Sequence, residues 1–341
     1  MKRTLNASLK HLNSFSIEAH SDQLLELETP DDLQVFSTSY RFDPASDLIL
    51  GGGSNILFAG NVAGTVVLNR ITGKRVISDS SNEVLIEARA GENWHQLVLW
   101  CLDQGLSGIE NLALIPGLAG AAPMQNIGAY GVELAQILDS VRVIDLSNGT
   151  PHEFNRQECD LSYRNSRFKS ADAGKFLITH IRLRLKRNFE PKLDYAGLHE
   201  EIRAMGINTP TAKQVSEAVI RIRQRKLPDP HLIGNAGSFF KNPVIDHAAA
   251  TRLAERFTAL PMFDAGDGET KLSAAWMIEQ CGWKGRSMGG AAVSEQHALV
   301  LINKHNATGR ELLDLAAAIC ESVQQKFGLL LQPEPLIIQP Q

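Results

Sequence analysis

The sequence predicts an α+β protein with more than one domain. Three observations lead there. Short β-branched runs joined by glycine-rich loops fill the first half, the pattern of strands and tight turns. Helical periodicity behind capping residues marks much of the second half. The chain has 341 residues, more than one ordinary hydrophobic core spans.

Asp47-Leu-Ile-Leu50 reads as a strand that runs into Gly51-Gly-Gly-Ser-Asn55, and Ile56-Leu-Phe58 follows as another. Thr65 to Leu68 and Val84 to Ala88 are further strands by their β-branched content. Leu97, Trp100 and Cys101 recur at helical spacing, which predicts a helix over 94–104. Over 176–186, Ile181, Leu183 and Leu185 alternate with Arg182, Arg184 and Lys186, so a half-buried strand with one solvated basic face is expected. Thr211 and Gln214 form a capping box, and Val215, Val219 and Ile222 share a face of the helix behind it. That helix must stop before Pro228. Helices are expected over 247–257 and 272–280 and a strand over 297–302. Thr308 and Glu311 form a second capping box, for a helix through Leu312, Leu315, Ile319 and Val323 that Gly328 ends. The change in character places a domain boundary near 190–225.

Bulk properties exclude several classes. A hydrophobic content of 43% with 21% charged residues is that of a globular protein. The net charge of −4 disfavours general nucleic-acid binding, which needs a basic face. The four cysteines, Cys101, Cys159, Cys281 and Cys320, are scattered without a CxxC pair, so no zinc ribbon or redox dithiol is expected. Free thiols fit a reducing cytoplasm. The first fifteen residues carry no apolar run of the secretory kind. No stretch approaches the roughly 20 apolar residues of a membrane span.

Two glycine loops suggest a nucleotide cradle. Gly51 to Asn55 follows a strand directly, and successive amides in such a turn suit a pyrophosphate. The sixth position is Ile56, so this is no Rossmann fingerprint, and no Gly-Lys-Ser/Thr follows as in a P-loop. Three glycines after a strand also make an ordinary tight turn. Ile115 to Gly131 carries four glycines and two prolines, a density no helix or strand is expected to survive. Long irregular loops in compact domains are usually functional, the bland alternative being a structural Ω-loop. Gly234-Asn-Ala-Gly-Ser-Phe-Phe-Lys-Asn-Pro243 is a third such loop with one serine, and the prolines of Lys226-Leu-Pro-Asp-Pro230 stiffen its approach.

Six strings in order resemble the UDP-N-acetylenolpyruvoylglucosamine reductase family: GGGSN at 51–55, IPGLAGAAPMQNIGAYG at 115–131, SYRNSRFK at 162–169, KLPDP at 226–230, GNAGSFFKNP at 234–243 and QPEP at 332–335. The resemblance covers nearly the whole chain. It implies a two-lobed FAD-binding domain of the vanillyl-alcohol-oxidase type over 13–190, split near 71, and an α+β substrate domain over 205–335. It implies non-covalent FAD, NADPH as hydride donor, a nucleotide-sugar substrate, a cytoplasmic monomer and a role in peptidoglycan precursor synthesis. The implied cofactor contacts are Gly51, Gly52, Gly53, Ser54, Asn55, Pro116, Gly117, Gly120, Asn126, Gly128, Tyr130 and Gly131. Leu193-Asp-Tyr-Ala-Gly197 looks like the tyrosine-bearing loop of the longer subtype, with Ala196 where glycine is expected. Tyr195, Lys226 and Asn242 are then the substrate-binding candidates.

The implied reaction adds hydride to an enol ether conjugated to a carboxylate and protonates the adjacent carbon. FAD supplies the hydride, because no side chain stores one. Ser238 is the candidate proton donor; a serine after glycine is otherwise an N-cap or turn residue. Arg164 is the candidate carboxylate partner, able to hold a carboxylate in a two-point fork, with Arg167 as its rival and surface residence as the bland reading. Glu334, between Pro333 and Pro335, is held extended and can be aimed, unless it is an exposed residue of a fraying end. Two other readings remain. A flavin-dependent alcohol oxidase or dehydrogenase needs a base, and only His231 sits in the motifs. A non-catalytic nucleotide-binding module leaves Ser238, Arg164 and Glu334 without purpose.

Overall fold

The computed structural model describes residues 1–195 and 197–339. The chain divides into two compact units. The first takes 1–7, 21–53 and 62–224, and the second takes 8–20, 54–61 and 225–341.

The first unit holds two sheets. One has four strands in the order Lys2–Ser8, His20–Leu27, Val62–Asn69 and Leu48–Leu50, the last three parallel. Helix α1 (Pro30–Ser39) returns the chain across it, opened by a Thr29–Asp32 capping box with proline in the first turn. Its Phe36 joins Leu25, Leu27, Val67, Ile71, Leu146 and Leu177 in a small core. The second sheet is antiparallel, in the order Pro151–Asn155, Leu138–Asp145, Phe176–Lys186, Glu83–Arg89 and Lys74–Asp79. One of its faces buries Ile181, Leu183, Leu185 and Ile86 against helix α2 (Trp94–Asp103), capped by Asn93. Each such aliphatic side chain contributes about 1.5–3 kcal/mol. Its other face is not the simply solvated basic surface the alternation suggests. Arg182 reaches Glu87 at 3.0 Å and Glu153 at 2.6 Å, and Lys186 reaches Glu190 at 2.7 Å. Glu87 and Glu153 stand on other strands, and only the register brings them near.

Helix α3 (Leu198–Ala204) precedes α4 (Ala212–Lys226), which starts at the expected Thr211–Gln214 box. Val215, Val219 and Ile222 of α4 belong to the core of the antiparallel sheet. The compact division therefore differs from a domain edge at 205: α4 stays with the first unit as far as residue 224.

In the second unit Gly234–Ser238, Val300–Asn303, Ala291–Val293 and Ser287–Met288 form an antiparallel sheet. A three-stranded sheet orders Val244–Asp246, Glu269–Leu272 and Met262–Gly266, and Leu336–Ile338 pairs in parallel with Ile56–Phe58. Helix α5 (His247–Arg256) starts on Asp246. Helix α6 (Ala274–Gln280) begins later than periodicity suggests, because Leu272 finishes a strand and Ser273 caps the helix. Helix α7 (Gly309–Phe327) runs from the Thr308–Glu311 box to Gly328 in the left-handed region, as expected. The strand expected at 297–302 starts at Val300, since the Val300 amide closes a turn onto the His297 carbonyl at 3.0 Å.

All four cysteines are free thiols. Among the described residues no helix is long and apolar enough to cross a membrane, and no cluster of three or more His, Cys, Asp or Glu could hold a metal.

Candidate active site

In the first unit the two glycine loops meet. A Cβ at Gly52 would stand 2.9 Å from the Gly117 Cα, and one at Gly51 would stand 3.1 Å from the Ala121 Cβ. Gly120 lies so near Ala90 that a Cβ there would fall 2.5 Å from the Ala90 Cβ. Gly53 has φ +63°, and the Pro116–Gly117 corner is fixed by the Trp94 amide on the Gly117 carbonyl at 3.1 Å. Only residues without side chains allow this approach.

The rest of the 115–131 segment is more regular than its composition suggests. Residues Ala119–Gln125 form a 3-10 helix with Pro123 inside it. The i→i+3 bonds of a short 3-10 turn tolerate a missing amide better than an α-helix does. Gly128–Ala129 and Val132–Glu133 then pair as a minimal hairpin. Its two turn residues, Tyr130 and Gly131, have φ +49° and +81°, the signature of a type I′ turn. Gly131 is thus explained by the turn, and Gly128 by the 2.9 Å that separates a Cβ there from Glu133.

Asn126, an implied cofactor contact, has its side chain engaged within the protein. Its side chain is 0% exposed. It donates to Glu133 Oε2 at 2.8 Å and to the Ser162 carbonyl at 3.1 Å, and accepts the Ala135 amide at 2.9 Å. Both amide protons are used inside the protein, so the Asn126 side chain stitches the loop to the turn that carries Arg164.

Arg164 occupies that turn at φ +55°, a left-handed conformation unusual for arginine, between the reciprocal Ser162–Asn165 bonds. It is half-buried and donates to the Gly128 carbonyl at 3.1 Å. Strain of this kind gathers at functional positions. Arg167, the rival, is consumed: it grips Asp172 at 2.6 Å, donates to the Glu158 carbonyl at 2.8 Å, and stacks 4.0 Å over Phe154. Tyr195 is half exposed, its ring 5.1 Å from that of Tyr130. Ala196 lies outside the described residues.

Sequence reasoning missed Arg223. It stands on the apolar stripe of α4, four residues after Val219, where an aliphatic side chain would be expected. Its Nε donates to the Leu114 carbonyl at 3.1 Å. His95 Nδ1 accepts the Leu114 amide at 3.1 Å, so one histidine and one arginine clamp the start of the glycine loop. Burial, and then the Arg164 guanidinium, hold the Arg223 pKa down while Tyr130 pulls it up. Arginine stays charged regardless, so Arg164 and Arg223 concentrate positive potential beside Tyr130. A charged residue on an apolar helical stripe was the available signal.

In the second unit Ser238 ends its strand, opposite Val300, after Gly237 at φ +69° in a local bulge. Asn235 builds the bulge: it donates to the Pro228 and Ile233 carbonyls at 3.0 and 2.9 Å and accepts the Gly237 amide at 3.0 Å. That ties KLPDP to GNAGSFF. Gly234 lies so near the Phe15 carbonyl that a Cβ there would stand 2.2 Å away. Phe239 and Phe240 are buried anchors. Ser238 is half-buried, and its hydroxyl makes no hydrogen bond among the described residues, so it caps nothing.

Glu334 is 9% exposed rather than a frayed end. Its amide donates to the Phe239 carbonyl at 2.8 Å, one residue from Ser238, and Asn55 Nδ2 reaches its carbonyl at 3.4 Å. Asn55 also accepts the Leu336 amide at 3.0 Å, so Ser54 and Asn55 lie in the segment that holds the C-terminal strand. Asn242 accepts the Ala274 amide at 3.0 Å, which commits its oxygen to starting α6. Lys226 is exposed at the end of α4. Lys241 bonds through its backbone to the Gln332 carbonyl at 2.9 Å, and His231 is exposed.

Comparison with known proteins bears on this arrangement. The family model for the UDP-N-acetylenolpyruvoylglucosamine reductase C-terminal domain matches residues 229–338, and that for an FAD binding domain matches 22–155. A UDP-N-acetylenolpyruvoylglucosamine reductase of Azoarcus sp. (strain BH72) is 46% identical over 339 residues, which cover 98% of this chain and 97% of that one. The chain belongs to the UDP-N-acetylenolpyruvoylglucosamine reductase family. The reductase of Pseudomonas aeruginosa is 44% identical over 97% of both chains. The crystal structure of the Thermus caldophilus reductase superposes with a TM-score of 0.64 at 24% identity, over 99% of this chain and 98% of that one. A solvent-stable cholesterol oxidase shares the fold alone, with a TM-score of 0.50 at 12% identity over 94% and 85% of the two chains.

The protein is thus an FAD-dependent oxidoreductase with the vanillyl-alcohol-oxidase type of flavin fold. The first unit fits that cofactor. Its two glycine loops meet through bare backbone at Gly52 and Gly117, which lets main-chain groups approach a pyrophosphate closely.

Proposed function

We infer that this member of the family reduces the enolpyruvyl ether of UDP-N-acetylglucosamine to UDP-N-acetylmuramate, with NADPH as electron source. One observation carries the catalytic reading: the Ser238 hydroxyl is uncommitted, positioned by a built bulge, and adjacent in the backbone to the buried Glu334. FAD, when bound, supplies the hydride. Gly51, Gly52, Gly53, Gly117 and Gly120 hold its phosphates through backbone. Arg164 grips the substrate carboxylate and opposes the negative charge that grows there as the double bond is reduced. Ser238 gives its hydroxyl proton to the carbon bearing the carboxylate. A serine is a weak acid, but the enolate-like species is a strong base, so positioning suffices. Glu334 acts beside Ser238 as a fixed carboxylate. Tyr195 and Lys226 take the nucleotide pyrophosphate, and Asn242 supports them only through its uncommitted nitrogen.

An alcohol oxidase of the same fold is disfavoured, since His231 is exposed and no other motif histidine supplies a base. The test is a visible spectrum of the purified protein. NADPH should bleach the flavin absorbance and enolpyruvyl-UDP-N-acetylglucosamine should restore it anaerobically. Bleaching without restoration would contradict the reading.

A further inference from the structure

The charged face of the five-stranded sheet carries two cross-strand rows. In one, Glu87 sits directly opposite Arg182 on one side and Arg75 on the other. A carboxylate between two guanidiniums is the favourable order for such a row. Glu87 reaches Arg75 at 2.8 Å and Arg182 at 3.0 Å. The neighbouring row is shifted by one strand, with its centre on Phe176–Lys186. Arg142 is opposite His180, and His180 is opposite Arg89. On the strand where the first row has its carboxylate this row has Arg89, and the imidazole lies one strand over, between the two guanidiniums.

This second row lines a cavity of about 370 Å³, bounded by Gly73, Lys74, Arg75, Glu87, Arg89, Arg142 and His180. The volume is at the small end of ligand sites. Among the described residues the Arg89 guanidinium makes no hydrogen bond or ion pair, although the residue is half-buried. Its stem packs on Gly73, whose Cβ would meet Arg89 Cδ at 3.2 Å. Gly73 in turn donates its amide to Glu92 at 2.7 Å. Arg142 has only loose partners, Glu153 at 3.6 Å and Glu87 at 3.8 Å. Five cations, Lys74, Arg75, Arg89, Arg142 and Arg182, meet three carboxylates, Glu87, Glu92 and Glu153. Holding an uncompensated guanidinium half out of water is unfavourable unless something completes it.

We propose that this cavity is an anion site, in which a phosphomonoester dianion seats between Arg89 and Arg142 over His180 and supplies the negative charge that this row lacks. The phosphoryl oxygens accept from both guanidiniums, and the remaining volume takes the organic part of the ester. His180 couples the site to pH. Burial, and then Arg89, Arg142 and Arg182, push its pKa down to about 4 against the pull of Glu87. A dianion beside the ring reverses that balance, so binding takes up a proton and tightens as pH falls through the range between the free and bound values.

The experiment follows the His180 ring by NMR in the FAD-loaded protein, with the resonance assigned through His180→Gln. Sodium sulfate is the first probe, because its charge does not change over this range, with sodium chloride at matched ionic strength as control. A saturable rise in the His180 titration midpoint is expected with sulfate alone. Arg89→Leu should weaken apparent sulfate affinity about tenfold or more, and Arg89→Lys should keep part of it. No saturable shift, or the same shift in Arg89→Leu, would overturn the site. Ribose 5-phosphate is the second probe and should displace sulfate. Exclusion of the ester from a cavity that still binds sulfate would overturn the assignment to phosphomonoesters.

Discussion

Gly120→Ala isolates the geometry of the glycine loop proposed to hold the flavin. The new methyl would stand 2.5 Å from the Ala90 Cβ, 3.0 Å from its Cα and 3.2 Å from its carbonyl oxygen. Carbon atoms rest at about 3.5–4.0 Å, so loop and strand end must part by roughly an ångström. The Gly120 amide is bonded to that same carbonyl at 2.9 Å, and Ala90 is buried, so neither side yields freely. Overpacking of this kind costs about 1–3 kcal/mol. If the loop holds FAD as proposed, that cost appears in FAD affinity, about 5- to 150-fold in Kd. Titration of the apoprotein with FAD, followed by flavin fluorescence, reads it. Ala90→Gly on the same background removes the shortest contact and should recover much of the loss, a coupling that a double-mutant cycle measures directly. An FAD affinity within twofold of wild type for Gly120→Ala, or no recovery in the double variant, would refute the packing argument.

Other outcomes follow from named contacts. Arg164→Ala should slow flavin reoxidation by substrate far more than flavin reduction by NADPH, whereas Arg167→Ala, which breaks the Asp172 pair and the Phe154 stack, should lower thermal stability and change both half-reactions alike; rapid-mixing spectra and melting curves separate them. Thr308→Ala removes the cap of α7 and should cost about 1 kcal/mol in urea unfolding. His180 resists a proton that the unfolded chain accepts near its ordinary value of about 6.5. The unfolded state therefore binds more protons between that value and about 4, so stability is full above the window and falls as pH drops through it. Urea midpoints of His180→Gln at pH 7 and pH 5 should show less loss than wild type.

Legibility in the sequence depended on whether a signal was local. Capping boxes at Thr211 and Thr308 and the alternation over Phe176–Lys186 are local, and they mark elements that the structure contains. The glycine loops were legible as close-approach segments, but which glycine approaches what was not. Gly52 meets Gly117 and Gly120 meets Ala90, while Gly131 serves a hairpin turn. The partners of polar residues inside motifs were not legible either. Asn126 resembles a ligand contact among glycines, yet its amide bonds Glu133, the Ser162 carbonyl and the Ala135 amide, groups that chain folding brings near. Arg223 belongs to no motif string, since it stands on a helix rather than in a glycine loop. The rows of the charged sheet face could not be read at all without the register that sets His180 between Arg142 and Arg89.

The central claim is that Ser238 delivers the proton. Single-turnover kinetics of Ser238→Ala test it most directly. FAD binding and flavin reduction by NADPH should stay near wild type, while reoxidation by the enolpyruvyl nucleotide should slow by about 10²–10⁴-fold. Reoxidation within a few-fold of wild type would contradict the account.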